Sequence, residues 1–177
     1  TLTSHNENFV LYSETNGKTP ELSVYNTVTK ESNPLYLKTL PEKCAWGKND
    51  LFIAYCAVPQ TIVPAECPDQ WYQGIISFSD DLWEIDTMTL STKKIMSPMD
   101  FVSSSLDIIN PVLSSDDQYL LFMNKLTGTP WVYSISDEPQ IAESLATPQE
   151  AETAVPATTT KTTVSQSVIT ADMKKLK

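Results

Sequence analysis

The sequence predicts an all-β fold built from a repeated four-stranded unit. Short apolar runs rich in aromatic and β-branched residues recur between residues 9 and 135, and turn residues such as Asn16, Gly17 and Gly128 separate them. Runs of this length and composition are typical of β-strands. Before the C-terminal tail, no stretch of helical length carries an apolar stripe. Strands and turns therefore account for most of this part of the chain.

Three pairs of runs share one internal order. The pairs cover residues 9–13 and 22–26, 51–55 and 82–86, and 120–124 and 131–135. An earlier run precedes the second and third pairs (43–46 and 111–114), and a later run follows the first and second (34–37 and 93–96). Polar turns join the earlier runs to their pairs, as in an antiparallel hairpin. The unit is thus four strands. The second copy is complete, whereas the first and third copies each lack one strand.

Repetition of such a unit at intervals of about 40 to 60 residues is typical of a β-propeller. We predict a partial β-propeller of about three four-stranded antiparallel blades. An irregular β-sandwich is the alternative, because it also has short strands at regular spacing. A ring needs about four to eight blades. We therefore expect further blades before Thr1, with this chain as the C-terminal part of a larger protein.

One stretch carries a family resemblance. Residues 111–135, PVLSSDDQYLLFMNKLTGTPWVYSI, resemble the WD-repeat-like blade module of TolB-type bacterial proteins, and residues 7–31 resemble the same module without its first strand. Ser115 and Asp117 stand where the family's turn has Pro and Gly. The resemblance implies a propeller scaffold in an extracytoplasmic location, and a last blade whose fourth strand is missing or comes from elsewhere in the chain.

The charge balance excludes some partners. Lys and Arg number 12 against 22 Asp and Glu, which gives a net charge of -10. Nucleic acid and anionic membrane surfaces attract clustered Lys and Arg, so neither is an expected partner. The sequence also lacks an apolar run of about 18 residues, the length that would span a bilayer.

A long loop between Pro59 and Gly74 is the candidate binding site. It contains Asp69, Trp71, Tyr72 and Gln73, and loops on a rigid scaffold often bind partners. The alternative is that Trp71 and Tyr72 fold back and cap the blade, since large aromatic side chains are seldom exposed without cause.

The cysteines are candidates for a disulfide. Cys44 and Cys56 flank the 47–50 turn almost symmetrically, so they are expected on adjacent strands at one level. A bond between them requires an oxidising compartment. Buried thiols, or a bond from Cys67 to Cys56, are the alternatives. No metal site is predicted, because His5 is the sole histidine and no CxxC occurs.

Catalytic motifs are absent from the sequence. There is no GxSxG turn and no phosphate-binding glycine loop, so neither a catalytic residue nor a cofactor is predicted. Asp80, Glu84 and Asp86 fall on one face of a predicted strand, where they would be weak candidates for calcium. We therefore favour a non-enzymatic scaffold for a protein, peptide or glycan ligand. The alternative is the propeller domain of a hydrolase, a glycosidase or peptidase whose catalytic part lies outside this chain.

The domain boundaries follow composition. Residues 1–138 form the incomplete ring, and residues 139–163, rich in Ala, Thr, Pro and Glu, form a low-complexity linker that we expect to be disordered. Residues 164–177 form a tail in which Ile169, Met173 and Leu176 have helical spacing. A short helix is one interpretation of this tail, and a frayed end is the other.

Overall fold

The computed structural model describes residues 2–3, 8–16, 19–62, 67–102, 104–135 and 173–175. In these ranges twelve strands form three four-stranded antiparallel sheets. We call the sheets blades 1, 2 and 3 in chain order. The predicted all-β fold, a partial β-propeller of three blades, is confirmed.

Blade 1 is complete, although the sequence suggested that it lacked its first strand. Its strands, in sheet order, are β1 (Leu2–Thr3), β2 (Phe9–Asn16), β3 (Thr19–Asn26) and β4 (Ser32–Leu37). Leu22 and Val24 of β3 are buried, while the residues between and beside them are partly or fully exposed. This alternation with period two is what a sheet with one covered face requires.

Blade 2 follows a single turn of 3-10 helix, Pro41–Lys43. Its strands are β5 (Cys44–Trp46), β6 (Ile53–Pro59), β7 (Asp80–Asp86) and β8 (Ser91–Met96). Nearly every residue of β5 and β6 is buried, because blade 2 packs between the other two blades and is covered on both faces. A short helix, α1 (Asp69–Tyr72), lies in the long connection from β6 to β7.

Blade 3 follows a second short helix, α2 (Pro98–Val102). Its strands are β9 (Ile108–Leu113), β10 (Tyr119–Asn124), β11 (Thr129–Ser134) and β12 (Met173–Lys175). The fourth strand is therefore supplied by a distant part of the chain, as one of the two sequence interpretations proposed. It is a strand and not the short helix considered for this tail, because β11 offers it an edge to pair with. The predicted linker, residues 139–163, lies outside the described residues.

Two layers of apolar side chains hold the blades together. Between blades 1 and 2 the layer contains Phe9, Leu11, Trp46 and Ile85. Between blades 2 and 3 the layer is formed by residues including Tyr55, Leu82, Leu120 and Phe122. Opposite faces of blade 2 thus contribute to different layers, which explains why this blade is the most deeply buried.

Candidate binding surface

The connection from β6 to β7, residues 60–79, is called the insert, and Trp71 anchors it. Only 4% of the Trp71 side chain is exposed. Its indole Nε1 donates to the two carboxylate oxygens of Asp107 at 3.1 and 3.0 Å. The ring stacks on Phe78, with 6.1 Å between centroids and 19° between planes. Trp71 therefore fixes the insert to the segment that enters blade 3.

A buried ion cluster lies beneath the Trp71 ring. The Lys43 ammonium is 2.7 Å from Asp80 Oδ2 and 2.9 Å from Asp107 Oδ1, and all three side chains are at most 1% exposed. The same ammonium lies 4.9 Å from the ring centroid of Trp71 and 5.1 Å from that of Phe78. Buried charges are tolerated when they are paired and hydrogen-bonded. We call these five residues the anchor cluster.

Backbone hydrogen bonds complete the anchor cluster. Asp107 Oδ2 accepts from the backbone N–H of Phe78 at 3.1 Å, and Asp80 Oδ2 accepts from that of Ile108 at 2.7 Å. Lys43 comes from the connection into blade 2 and Asp107 from the connection into blade 3. The cluster consequently fastens both connections to the insert.

The anchor cluster holds two carboxyl groups against one ammonium. Burial raises the pKa of Asp80 from 3.8 to about 6, although Lys43 and the Ile108 N–H oppose the shift. Asp80 Oδ1 is buried without a hydrogen-bond partner in the described part of the molecule. Folding therefore disfavours the ionised form of Asp80 relative to the protonated form.

A second cation contacts Trp71. Lys125, in the turn between β10 and β11, has its Nζ 4.3 Å from the Trp71 ring centroid. The same nitrogen donates to the Trp71 backbone carbonyl. A cation over an indole face is attracted by the ring's negative potential. Blade 3 thus contributes a further contact that holds α1 in place.

The residues after Trp71 face solvent. Tyr72 is 57% exposed and Ile75 is 64% exposed, and Gln73 and Asp69 are also exposed. The Tyr72 ring still touches the anchored indole, with 5.3 Å between centroids. We call Asp69, Tyr72, Gln73 and Ile75 the insert face.

The structure thus separates the four residues predicted for the binding loop. Asp69, Tyr72 and Gln73 lie together on the exposed side of α1, while Trp71 folds back against the blades. Trp71 folds back as the capping interpretation expected, whereas Tyr72 is exposed. That the loop binds a partner stays a prediction. Sequence reasoning missed Lys43, Asp107 and Lys125, because nothing local marks them as partners of an insert so distant in the chain.

The three acids considered for calcium have separate roles in β7. Asp80 belongs to the anchor cluster, and Glu84 lies beside the Tyr55 hydroxyl, whose pKa is raised by burial and by that carboxylate. Asp86 accepts from the backbone N–H groups of Met88 and Thr89 at 2.8 and 3.2 Å, closing the turn after β7. Within the described ranges, no three His, Cys, Asp or Glu residues are grouped to hold a metal.

A disulfide joins Cys44 to Cys56, as the hairpin symmetry predicted. The two residues lie directly opposite each other in the β5–β6 ladder. Cys67, in the insert, remains a buried free thiol, and burial raises its pKa. The bond joins β5 to β6, and Cys44 directly follows Lys43 of the anchor cluster.

A pocket of about 320 Å³ lies at the other end of blades 1 and 2. It is found where β3 and β7 finish, whereas the insert lies where β7 begins. Its walls include Phe9, Val24, Met88 and Leu90, and Glu31 is its charged residue.

No helix among the described residues is long and apolar enough to cross a membrane.

Three solved structures resemble the fold at low sequence identity. TolB from Acinetobacter baumannii is 13% identical, with a TM-score of 0.49, over 77% of this chain and 30% of that one. Kuenenia stuttgartiensis hydrazine synthase is 8% identical, with a TM-score of 0.51, over 75% of this chain and 38% of that one. The tricorn protease is 11% identical, with a TM-score of 0.28, over 76% of this chain and 20% of that one.

The chain thus spans no more than 38% of the length of these proteins. The likeness to hydrazine synthase shows a shared fold over most of this chain and nothing about activity. No family model and no curated protein matches the sequence.

Proposed function

We propose that this chain is a non-enzymatic scaffold of the TolB-type, WD-repeat-like propeller kind, which binds a protein, peptide or glycan through the insert face. One observation carries the proposal. Trp71 is locked into the anchor cluster, while its neighbour Tyr72 is exposed on the same short helix. An aromatic side chain on a rigid support can bind without a large ordering cost.

The chemistry of the insert face favours particular ligands. Tyr72 and Ile75 offer apolar area, and Gln73 offers both a donor and an acceptor. Tyr is enriched at protein interfaces because it combines apolar area with a polar end. The net charge of -10 favours basic or neutral ligands over acidic ones. Nucleic acid is not among the proposed partners.

The absence of catalysis is part of the proposal. In the described residues, the buried acids nearest the insert pair with Lys43, the indole and backbone N–H groups. The buried thiol of Cys67 has a raised pKa, which disfavours the reactive thiolate. The acids are held in structural contacts and the thiol is buried, which supports a binding role without a cofactor.

An extracytoplasmic location is the corresponding proposal for the compartment. The Cys44–Cys56 bond supports it, because disulfides persist mainly in oxidising environments such as the periplasm and the cell surface. The resemblance of residues 111–135 to TolB-type modules points to the same compartment.

Peptide and glycan arrays probed with the labelled 177-residue chain test the proposal. Tyr72→Ser and Ile75→Ser should each weaken binding to the selected spots at least tenfold. Val28→Ser is a matched control for Ile75→Ser, because Val28 is 70% exposed and lies in the turn after β3. It should leave binding unchanged.

Two results would overturn the proposal. Binding that survives both insert-face substitutions would place the site elsewhere on the molecule. Cleavage of an arrayed peptide or glycan by the purified chain would show an enzyme, in keeping with the hydrolase alternative.

A further inference from the structure

The pocket at the junction of blades 1 and 2 has a wall made by the end of blade 1. Phe9 and Val24 belong to the apolar layer between these blades. Asn26 lies opposite Phe9 in the ladder, and Asn33 lies opposite Val24. Residues directly opposite each other in an antiparallel pair share a face of the sheet. At this end of the strands, apolar and amide side chains thus line one pocket. We call it the blade 1–2 pocket.

Two turns of the same design form its rim. They are residues 26–31 (NTVTKE), between β3 and β4, and residues 86–91 (DTMTLS), between β7 and β8. In each turn the first side chain accepts from the backbone N–H groups two and three residues later, at distances of 2.8 to 3.2 Å. These bonds hold the turns in one conformation. The rim is therefore formed before a ligand arrives, which lowers the cost of binding.

Leu90 has a backbone conformation that the turn does not require of a leucine. Its φ is +59°, in the left-handed region that is costly for residues with a side chain. A third turn of the same pattern, residues 124–129 (NKLTGT), has Gly128 at the corresponding position, with a φ of +63°. Glycine would thus satisfy the turn. What the leucine adds is an apolar side chain, 39% exposed, in the lining of the pocket.

The polar side chains of the pocket offer acceptors that the chain leaves unused. Thr29, Glu31 and Asn33 line the pocket. None of their side chains forms a hydrogen bond or an ion pair with another described residue. Glu31 is the charged residue of the lining, whereas the neighbouring Lys30 is outside the lining. An acidic pocket in a chain of net charge -10 favours a cationic ligand.

A guanidinium suits these acceptors better than an ammonium does. Its N–H donors are fixed in one plane, so it can meet a carboxylate through two parallel bonds and still reach other acceptors. The ammonium of lysine is compact and more strongly hydrated. The aliphatic stem of arginine packs on apolar surface, which Val24, Met88 and Leu90 provide. A volume of about 320 Å³ is small for a ligand pocket, which suits one side chain.

We propose that the blade 1–2 pocket binds an arginine side chain of a partner polypeptide. The guanidinium lies against Glu31 and Asn33, and the stem lies against Val24 and Leu90. The pocket is at the opposite end of the strands from the insert face. The proposal is therefore independent of the function proposed above.

Titration of the isotope-labelled 177-residue chain with the peptide acetyl-Gly-Arg-Gly-amide, followed by NMR, tests the proposal. Backbone signals of residues 26–33 and 87–90 should shift, and those of the insert face should not. The corresponding citrulline peptide has nearly the same shape without the charge and should bind about fivefold more weakly. The corresponding lysine peptide should also bind more weakly than the arginine peptide.

Two variants assign the contacts. Glu31→Gln removes the charge at nearly constant size, so the arginine peptide should bind about fivefold more weakly and lose its advantage over the citrulline peptide. Leu90→Gly removes a side chain of the rim where glycine suits the backbone, and it should weaken both peptides equally. Circular dichroism establishes that each variant is folded, and Met88→Ser replaces Leu90→Gly if that variant is not.

Two controls separate this pocket from other sites. Glu21→Gln changes an exposed acid of blade 1 outside the pocket and should leave all affinities unchanged. Tyr72→Ser should also leave arginine binding unchanged, so failure of the insert face as a binding site and failure of this pocket are distinguishable.

Four outcomes would overturn the proposal. Shifts that do not saturate, or that fall outside the pocket, would mean that the arginine peptide has no site there. Equal affinities for the arginine and citrulline peptides would show that the charge is not recognised. Equal affinities for the arginine and lysine peptides would show that the guanidinium is not recognised. Full affinity of Glu31→Gln would place the guanidinium elsewhere.

Discussion

Lys43 is a single residue whose buried side chain makes several close contacts. Its ammonium meets two carboxylates and two aromatic rings, and its side chain is at most 1% exposed. Removing an ion from water costs several kcal/mol, which only close partners can offset. The pairing with Asp80 and Asp107 supplies those partners. Because Asp80 begins β7 and Asp107 directly precedes β9, Lys43 ties the connection into blade 2 to two other parts of the chain.

Replacing Lys43 by Met should lower the free energy of unfolding by about 3 to 5 kcal/mol, since two buried carboxylates lose their counter-charge. Urea unfolding at pH 7 measures the loss. Lys38→Met is the matched control, because Lys38 is exposed five residues earlier. Equal stabilities for the two variants would show that the ion cluster contributes no net stability.

Asp80 should give the protein a measurable pH dependence. Its pKa rises from 3.8 to about 6 on folding, so its contribution is fully present below pH 3.8 and is lost as the pH rises through 6. The difference corresponds to about 3 kcal/mol at most. Asp80→Asn, which cannot ionise, should flatten the change in unfolding free energy between pH 4 and pH 7 that this group produces.

Urea titrations of wild type, Asp80→Asn and the exposed control Asp100→Asn at several pH values measure this effect. A profile for Asp80→Asn that matches the wild type would mean that Asp80 does not titrate in this range.

At the scale of elements, the strands apart from β1 and β12 were predictable, and the anchoring of the insert was not. Residues 120–124 and 131–135 signal strands through their own composition, and the hairpin around residues 47–50 placed Cys44 opposite Cys56. Lys43, by contrast, lies 64 residues from Asp107, and Trp71 lies 36 residues from it. Such contacts depend on how blades stack, which no local pattern encodes.

The C-terminal tail, residues 164–177, is a second case in which a local pattern does not predict the structure. Ile169, Met173 and Leu176 have helical spacing, yet Met173–Lys175 forms a strand because the edge of β11 satisfies its backbone. Local propensity is a weak signal that tertiary context overrides.

The insert should depend on its tryptophan for protection from proteolysis. Trp71→Leu removes the indole N–H bond to Asp107 and both cation contacts, so local opening becomes easier. Chymotrypsin should then cleave after Tyr72 at least tenfold faster than in the wild type, as followed by mass spectrometry. Ile75→Ala changes an exposed residue of the same insert and should leave the rate unaltered. Equal rates for all three proteins would contradict an anchoring role.

The β5–β6 hairpin should depend on its disulfide for stability. The bond links residues 12 positions apart, a loop for which chain entropy predicts about 3 kcal/mol. Dithiothreitol should therefore lower the urea midpoint of the wild type and have no effect on a Cys44→Ala, Cys56→Ala double variant. A wild-type midpoint unaffected by full reduction would show that the hairpin needs no crosslink.

At the scale of the whole molecule, the blades are not equivalent. Blade 2 is covered on both faces, whereas blades 1 and 3 each bury one face within the chain. Blade 2 is thus the blade that joins the other two. The insert face lies at the ends of the strands and not on a blade face.

The origin of β12 has a consequence for the order of events during protein synthesis. A ribosome makes all four strands of blade 2 in one continuous stretch, so that blade can assemble while translation continues. Blade 3 has β9, β10 and β11 by Ser134 but lacks its edge strand until Met173–Lys175 have been made. During that interval the edge of β11 is unpaired and open to strands of neighbouring nascent chains. The last blade to be completed is therefore the one most in need of a chaperone.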